Sequence, residues 1–341
     1  MKVVPTSRIR MGNLPTPIEF FKGARVGLHN VEVYLKRDDY SGLEFTGNKI
    51  RKLEFLVADA IKSGCDCLVT IGALQSNHCR ATAIMAARAG LDCYLLLRKS
   101  QVPPTQKDEL EGNVLYSRLA GAKLKFFSLE ELRGSGGYDV LLKKMTQQLQ
   151  KENKKPYIIP LGGSNALGSW GYIEAMREID EQLNELKLHI DDIVVATGSA
   201  GTLAGLAVGN HLANTGITVH GVCVSDNPKF FHSEINGILD TLGIQKRSED
   251  ICTIHGGYVS GGYGKCTPED YKKIYHISSQ TGVMLDPVYT YKAFRAILED
   301  PAFANRRVLF IHTGGQYGIF AHSTQFLPYL NPITDLFPSK L

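Results

Sequence analysis

The chain has 341 residues, of which 43% are hydrophobic and 21% are charged, and this length exceeds what one hydrophobic core usually holds. Its 38 basic and 34 acidic residues give a formal charge of +4 without a basic run interleaved with aromatic residues, which argues against a nucleic-acid partner. The sequence has no run of about 18 apolar residues and no segment typical of a signal peptide, so we expect a cytoplasmic protein without a membrane partner.

The first half of the chain alternates between strand and helix patterns. Short β-branched or apolar runs predict strands, and apolar residues at helical spacing predict helices. The predicted strands cover residues 31–36, 67–71, 93–97 and 123–127, and the predicted helices cover residues 53–62, 79–89 and 112–119. Strands separated by helices of about 10 to 15 residues are typical of βαβ units with a parallel sheet.

A charged segment at residues 151–155, closed by Pro156, predicts a boundary between two lobes at residues 156–161. A strand at residues 157–160 and the turn Gly162-Gly163-Ser164-Asn165 then lead into another helix. The second half repeats the alternation, with strands at residues 193–196, 219–224 and 308–312 and a helix at residues 203–213. We therefore expect an α/β fold with two lobes.

The seven cysteines are an odd number, lie mostly in apolar segments and form no C-x-x-C pair. Their spacing from the ten histidines does not match a zinc site. We expect reduced thiols and no metal site.

Two lysines three residues apart, Lys49 and Lys52, stand at the start of the first predicted helix, directly after a glycine-containing turn. A lysine held partly out of water beside other cations has a lowered pKa, and its free amine can attack an aldehyde. Such a lysine could carry a Schiff base. By itself, however, the segment is more typical of a solvated cationic face of a helix, formed by Lys49, Arg51 and Lys52.

A glycine-rich turn, Thr197-Gly198-Ser199-Ala200-Gly201-Thr202, connects a buried type of strand to an apolar helix. Its N–H groups and hydroxyls, placed above a helix N-terminus, suit a phosphate. The turn lacks the lysine of a Walker A loop and the spacing of G-x-G-x-x-G. A phosphate-bearing cofactor other than NAD or ATP therefore fits better, while glycines used for close packing are the alternative.

The segment Gln75-Ser76-Asn77-His78 lies at the carboxyl end of a predicted strand, where open α/β sheets bind ligands. Its side chains could donate hydrogen bonds to a carboxylate or hold a cofactor oxygen. Capping of the following helix by Ser76 or Asn77 is an alternative that does not exclude binding. A Ser-His-Asp hydrolase is not indicated, because the G-x-S-x-G elbow is absent.

Seven segments carry a resemblance to a known family. They are Leu14-Pro15-Thr16-Pro17, Lys36-Arg37-Asp38-Asp39, Thr46-Gly47-Asn48-Lys49-Ile50-Arg51-Lys52, Gln75-Ser76-Asn77-His78-Cys79-Arg80, Gly198 to Thr202, Leu285-Asp286-Pro287-Val288-Tyr289 and His312-Thr313-Gly314-Gly315. In this order, over nearly the whole chain, they resemble fold-type II pyridoxal-phosphate enzymes, in the branch of 1-aminocyclopropane-1-carboxylate (ACC) deaminase and D-cysteine desulfhydrase, and most closely the latter.

The resemblance implies a tryptophan synthase β-like fold of two lobes, each with a mainly parallel sheet flanked by helices. Residues 1–49 and 161–341 would form a large lobe that binds pyridoxal 5′-phosphate, and residues 50–160 would form a small lobe. The cofactor would lie in the cleft between them, a usual place for a site. Members of this family are commonly homodimers, so the resemblance also implies a homodimer that acts on a small amino acid.

Carried over residue by residue, the resemblance implies that Lys49 forms the Schiff base and takes the Cα proton of the substrate. Asn77 would hydrogen-bond the 3′ oxygen of the cofactor, and Ser76 would meet the substrate carboxylate or act as a second catalytic group. Tyr289 would lie near the pyridine ring as a third catalytic residue, with an ordinary core aromatic as the alternative. The implied phosphate contacts are Lys52, Ser199, Ala200, Gly201 and Thr202.

The predicted substrate depends on Thr290 and Thr313, which we also expect at the cofactor. Deaminases of the resembled branch typically carry Glu after the equivalent of Tyr289 and Leu after the equivalent of His312, whereas D-cysteine desulfhydrases carry Thr or Ser and then Thr. A hydroxyl near the pyridine nitrogen leaves that nitrogen largely neutral, and the weaker electron sink suits a good leaving group such as thiolate. The resemblance therefore implies α,β-elimination of D-cysteine to pyruvate, hydrogen sulfide and ammonia.

Three alternatives stay open. The first is an ACC deaminase, which gives 2-oxobutyrate and ammonia. The second is elimination from another β-substituted amino acid, such as D-serine, a chloroalanine or cysteate. The third is a protein that binds the cofactor without turnover. In addition, Tyr291-Lys292 stands where relatives commonly have Gly-Lys, which predicts a bulky side chain beside the site.

Overall fold

Two β-sheets organise the described part of the chain, which comprises residues 1–23, 27, 30–99 and 110–333 of a computed structural model. The larger sheet contains, from edge to edge, β1 (Ile18–Phe20), β2 (Glu32–Lys36), β10 (Arg307–Ile311), β7 (Asp192–Thr197), β8 (Thr218–Cys223) and β9 (Thr253–His255). The smaller sheet contains β5 (Lys123–Phe127), β4 (Asp92–Arg98), β3 (Cys67–Ala73) and β6 (Pro156–Ile158). Only β1 and β2 pair antiparallel among these strands, so the predicted α/β fold with mainly parallel sheets is confirmed.

The helices alternate with these strands, as the sequence predicts. In the first half they are α1 (Lys49–Lys62), α2 (Asn77–Arg88), α3 (Gly112–Leu119), α4 (Leu129–Ser135) and α5 (Tyr138–Lys151). In the second half they are α6 (Ala166–Leu186), α7 (Gly201–Ala213), α8 (Pro228–Leu242), α9 (Ser248–Ile251), α10 (Pro268–Thr281), α11 (Thr290–Glu299), α12 (Gln316–Phe320) and α13 (Ser323–Phe326). None of the described helices is long and apolar enough to cross a membrane.

Each sheet is covered by helices on both faces. On the smaller sheet, α1 and α2 pack against one face, and α5 packs against the other. The apolar stripe of α1 explains its orientation, because Ile50, Leu53, Val57 and Ala60 recur at helical spacing and are all buried there. On the larger sheet, α6, α7 and α8 cover one face, and α10 and α11 cover the other. We propose that the predicted lobes, residues 50–160 and residues 1–49 with 161–341, correspond to these two layered units.

Helix α1 also contacts the unit built on the larger sheet (the large unit), because a glycine in α6 lets the two helices approach closely. A Cβ atom added at Gly171 would lie 2.4 Å from the backbone carbonyl of Arg51. Only a residue without a side chain fits that contact. The first turn of α1, which carries Lys49, is therefore held between the two sheets.

A buried cluster of charges fixes the same turn. Arg51 lies 2.8 Å from Asp38 and 2.8 Å from Glu178, and Lys36 lies 2.6 Å from Glu178. Although burial opposes ionisation, the neighbouring Arg51 lowers the pKa of the Asp38 carboxyl below its usual value. Arg51 is 2% exposed and Lys52 is 1% exposed. The alternative of a solvated cationic face is therefore wrong for both residues.

All seven cysteines are free thiols. Within the described ranges, no group of three or more His, Cys, Asp or Glu side chains is placed to hold a metal ion.

Candidate active site

A cavity of about 720 Å³ lies between the two sheets, at the carboxyl ends of β3, β4 and β7. Ligands of open parallel sheets bind at these ends. Eight of the residues predicted for the site line this cavity, although they come from distant parts of the chain. They are Lys49, Ser76, Asn77, Ser199, Ala200, Thr202, Tyr289 and Thr313.

Lys49 begins α1 and lines the cavity. Burial lowers the pKa of its amine to about 8, because the charged form loses hydration there. Lys49 forms no ion pair with a carboxylate among the residues that the structure describes. A substantial fraction of this amine is therefore neutral near pH 8 and can react with an aldehyde.

Lys52 lies one turn along α1, behind the cavity wall. Its Nζ atom donates to the Gly162 carbonyl (3.3 Å) and to the Ser164 hydroxyl (3.4 Å). Burial and then the charge of Lys49 lower its pKa well below the usual value. Ser164 links Lys52 to the glycine-rich turn, because its hydroxyl donates to Ser199 Oγ (3.0 Å) and accepts from Gly201 N (3.2 Å). These contacts place the second lysine beside the predicted phosphate loop.

The loop itself has the form of an anion cradle. Ala200 has a φ of +61°, a conformation that L residues seldom adopt, and it directly precedes the N-terminus of α7. A Cβ atom added at Gly162 would lie 2.3 Å from Ser199 Oγ and 3.5 Å from Lys49 Nζ. Helices α1, α2 and α7 all begin at this cavity, so the positive ends of their dipoles lie there. The buried Lys52 and the partly buried Lys49, neither with an acidic partner among the described residues, fit a phosphate-bearing aldehyde together with the three helix N-termini.

The segment Ser76-Asn77-His78 forms the wall at the start of α2. Ser76 Oγ accepts from Cys79 N (3.1 Å), so this residue caps the helix and also lines the cavity. His78 Nε2 lies 2.9 Å from Thr70 Oγ1, whereas His78 Nδ1 is buried without a partner among the described residues. Burial and then the charges of Lys49 and Lys52 lower the pKa of His78, so the imidazole is neutral at pH 7.

Tyr289 lines the cavity, and its hydroxyl is hydrogen-bonded to that of Tyr263. Burial raises the pKa of both phenols, to about 12 for Tyr263. Both are therefore protonated at neutral pH and act as hydrogen-bond donors or acceptors, not as bases. Tyr263 was not predicted from the sequence. The glycines around it, at positions 261, 262 and 264, were the available signal for an unusual loop.

Thr290 lies away from the cavity surface. Its hydroxyl donates to Asp286 Oδ1 (2.7 Å), and the Asp286 carboxylate also accepts from the N–H groups of Val288, Tyr289 and Thr290. Tyr291 is completely buried in the core beside the large sheet and does not line the cavity. The expectation of a bulky side chain beside the site is therefore wrong for Tyr291, because the turn of α11 directs it inward.

The cavity is also lined by charged residues that were not predicted from the sequence. Arg98 ends β4 and donates from Nη1 to the Tyr138 hydroxyl (2.9 Å). Asp226 and Glu234 line the cavity from the large unit. A charged residue at the carboxyl end of a predicted parallel strand, as at Arg98, was the signal that could have found this part of the site.

The chain is similar to known proteins of one family. The family model described as "Pyridoxal-phosphate dependent enzyme" matches residues 9–314. The chain is 44% identical over 328 residues to the bifunctional D-cysteine desulfhydrase/1-aminocyclopropane-1-carboxylate deaminase of Arabidopsis thaliana, covering 94% of this chain and 81% of that protein. It is 38% identical over 329 residues to a putative 1-aminocyclopropane-1-carboxylate deaminase of Pyrococcus abyssi, covering 95% and 96% of the two chains.

Two further relatives extend the comparison. The D-cysteine desulfhydrase of Salmonella newport is 36% identical over 323 residues, which cover 92% of this chain and 96% of that protein. A crystal structure described as an ACC deaminase homologue superposes with a TM-score of 0.82 at 34% identity, covering 95% of this chain and 96% of the other.

Proposed function

This chain belongs to the pyridoxal-phosphate dependent enzyme family, and from that premise we propose that it eliminates hydrogen sulfide from D-cysteine. The tryptophan synthase β-like fold of the ACC deaminase and D-cysteine desulfhydrase branch follows from the same comparisons. The cofactor is pyridoxal 5′-phosphate. When bound, it supplies an electron sink that makes the Cα–H bond of an amino acid acidic.

The residues that would hold the cofactor are those that form the anion cradle. Lys49 would form the covalent link. Ser199, Ala200, Gly201 and Thr202, with Lys52 behind them, would bind the phosphate. Lys52 is buried without an acidic partner among the described residues, and a dianionic phosphate beside it would stabilise its charged form. Asn77 would donate to the 3′ oxygen of the cofactor, and Thr313 would contact the cofactor from the unit built on the larger sheet.

The substrate chemistry would be performed by the amine of Lys49. Lys49 Nζ would take the Cα proton of D-cysteine. The Cβ–S bond breaks with its electron pair on sulfur, so that hydrosulfide leaves, and water converts the resulting 2-aminoacrylate to pyruvate and ammonia. Ser76 would bind the substrate carboxylate at the N-terminus of α2. Tyr289 and Tyr263, both protonated, would donate hydrogen bonds within the cavity.

The observation that carries the choice of D-cysteine is the residue after Tyr289. Position 290 holds a threonine whose hydroxyl is occupied by Asp286, so this position brings no carboxylate into the cavity. Without a carboxylate from this position, the pyridine nitrogen of the bound cofactor would be less strongly protonated. Such a site favours a substrate with a removable Cα proton and a good leaving group. ACC has no hydrogen on its Cα atom, so Lys49 could not act on it in the same way.

The test compares two products of one holoenzyme preparation. We expect sulfide and pyruvate from D-cysteine with a kcat/KM on the order of tenfold or more above that for 2-oxobutyrate from ACC, which corresponds to about 1.4 kcal/mol. L-cysteine and D-serine in the same assay control for stereochemistry and leaving group. A higher kcat/KM for ACC than for D-cysteine would contradict the proposal.

ACC deamination is the second candidate, because relatives from Arabidopsis thaliana and Pyrococcus abyssi carry that description. Elimination from another β-substituted amino acid is a third, and the D-serine control separates it. A protein that binds the cofactor without turnover is less well supported, because Lys49 and Ser76 both line the cavity. We also propose a cytoplasmic homodimer, on the basis of the family resemblance.

A further inference from the structure

A buried arginine without an acidic partner lies behind the wall of the site. Arg80 is completely buried in α2, and no carboxylate among the described residues pairs with it. Its guanidinium instead donates to Asn113 Oδ1 (2.8 Å) through Nε, to the Thr46 carbonyl (3.0 Å) through Nη2, and to the Glu44 carbonyl through Nη1. The guanidinium also lies over the Tyr317 ring, 4.9 Å from its centroid. Burying a cation without a carboxylate partner is costly, so the groups that Arg80 holds call for a functional explanation.

Those hydrogen bonds determine the orientation of Asn113. A guanidinium can only donate, so the side-chain atom of Asn113 that faces Arg80 must be the oxygen. The backbone carbonyl oxygen of Gln75 can only accept a hydrogen bond, and it lies 3.1 Å from Asn113 Nδ2. Two independent partners therefore fix the same amide orientation, and Asn113 is only 1% exposed.

The fixed side-chain amide of Asn113 in turn fixes the orientation of the Asn77 amide. Asn113 Nδ2 donates to Asn77 Oδ1 at 2.9 Å. Because the oxygen of Asn77 faces Asn113, its amide nitrogen is turned to the other side. Asn77 lines the cavity, and this nitrogen has no acceptor in the part of the chain that the structure describes.

We propose that Arg80 and Asn113 are positioning residues that keep Asn77 turned so that it presents a hydrogen-bond donor, and never an acceptor, to an anionic oxygen of the ligand. The inference rests on the proposed placement of the cofactor beside Lys49. Arg80 also holds the Thr46 carbonyl, so one guanidinium joins the turn before Lys49 to the donor of Asn77. Without this relay an asparagine could rotate and offer its oxygen, which would repel an oxyanion.

Asn113→Asp tests the relay directly. The introduced carboxylate still accepts from Arg80, and now as a charged partner, but it has no N–H to donate to Asn77 Oδ1 or to the backbone carbonyl of Gln75. Asn77 must then turn its own nitrogen toward that carboxylate and its oxygen into the cavity. We expect cofactor-free protein of this variant to bind pyridoxal 5′-phosphate about 10- to 100-fold more weakly, with a shifted visible absorption band. Neither readout requires turnover of D-cysteine, so a wrong substrate assignment would leave this test intact.

Three controls separate orientation from charge and from folding. Asn184→Asp places the same change on an exposed site of α6 and should leave cofactor affinity unchanged. Asn113→Leu removes the relay without adding charge and should give a smaller loss than Asn113→Asp. In an Asn77→Ala background, Asn113→Asp and Asn113→Leu should each change the affinity by less than about twofold, because Asn113 acts through Asn77.

The proposal is overturned if Asn113→Asp binds the cofactor with wild-type affinity and an unchanged band. It is also overturned if the loss persists in full in the Asn77→Ala background. Should Asn113→Asp fail to fold, the same cycle with Asn113→Leu decides the question, since this side chain has a similar size and no charge.

Discussion

Lys49→Ala should abolish the visible absorbance of the bound cofactor and reduce turnover by about 10²- to 10⁴-fold or more, because the covalent link and the Cα base are lost together. The measurement is a visible spectrum of the purified variant, followed by a sulfide assay with D-cysteine. Burial lowers the pKa of this amine to about 8, which is what a catalytic base near neutral pH requires. A yellow and active variant would contradict the assignment.

Two other lysines of α1 provide matched controls. Lys62 ends the helix and donates to Thr6 Oγ1 at an exposed position, so Lys62→Ala should keep both the absorbance and the activity. Lys52→Ala should keep the absorbance when the cofactor is saturating, but it should bind the cofactor more weakly, because Lys52 lies beside the phosphate loop. The three variants together separate loss of the link from loss of affinity and from loss of the fold.

Arg51→Met should destabilise the protein by about 3 to 5 kcal/mol, because it leaves the buried Asp38 carboxylate and the partly buried Glu178 carboxylate with Lys36 as their remaining cation. Urea unfolding of the cofactor-free protein, followed by far-UV circular dichroism, measures the change. The effect follows from desolvation, since the carboxylates cannot recover their hydration at this depth. The Arg51 side chain is 2% exposed.

Arg177→Met is the matched control for that variant. Arg177 lies on α6, as Glu178 does, and pairs with Glu174 and Glu181, but its side chain is 63% exposed. Its loss should cost about 0 to 1 kcal/mol, because exposed pairs are solvated and screened. Equal losses for Arg51→Met and Arg177→Met would show that the buried cluster contributes no more than a surface ion pair.

The fold was predictable where a local pattern reflects burial. Strand β3 is an apolar run buried along nearly its whole length, and α1 carries an apolar stripe at helical spacing, so both were found from the sequence. Strands β1 and β9 were missed, because three residues each carry no measurable alternation. Their pairing depends on strands elsewhere in the chain, which no local pattern records.

The site was predictable in part for a related reason. The reactive amine of Lys49 and the anion-binding form of the glycine-rich turn can be predicted from their own segments. The burial of Arg51 cannot, because it depends on the approach of Gly171, more than a hundred residues along the chain. Tyr263 belongs to the site because its hydroxyl meets that of Tyr289. Thr290 turns away from the cavity because its hydroxyl donates to the Asp286 carboxylate, which also accepts from the N–H groups at the start of α11. This capping role was not predicted from the sequence.

We propose that Lys49 carries the cofactor in the cavity between the two sheets. Borohydride reduction of the holoenzyme makes the link permanent, and proteolysis with mass spectrometry then identifies the modified residue. We expect one cofactor per chain, attached to the peptide that contains Lys49 and absent from the Lys49→Ala protein. Attachment at Lys52, or at a lysine outside the cavity, would contradict it.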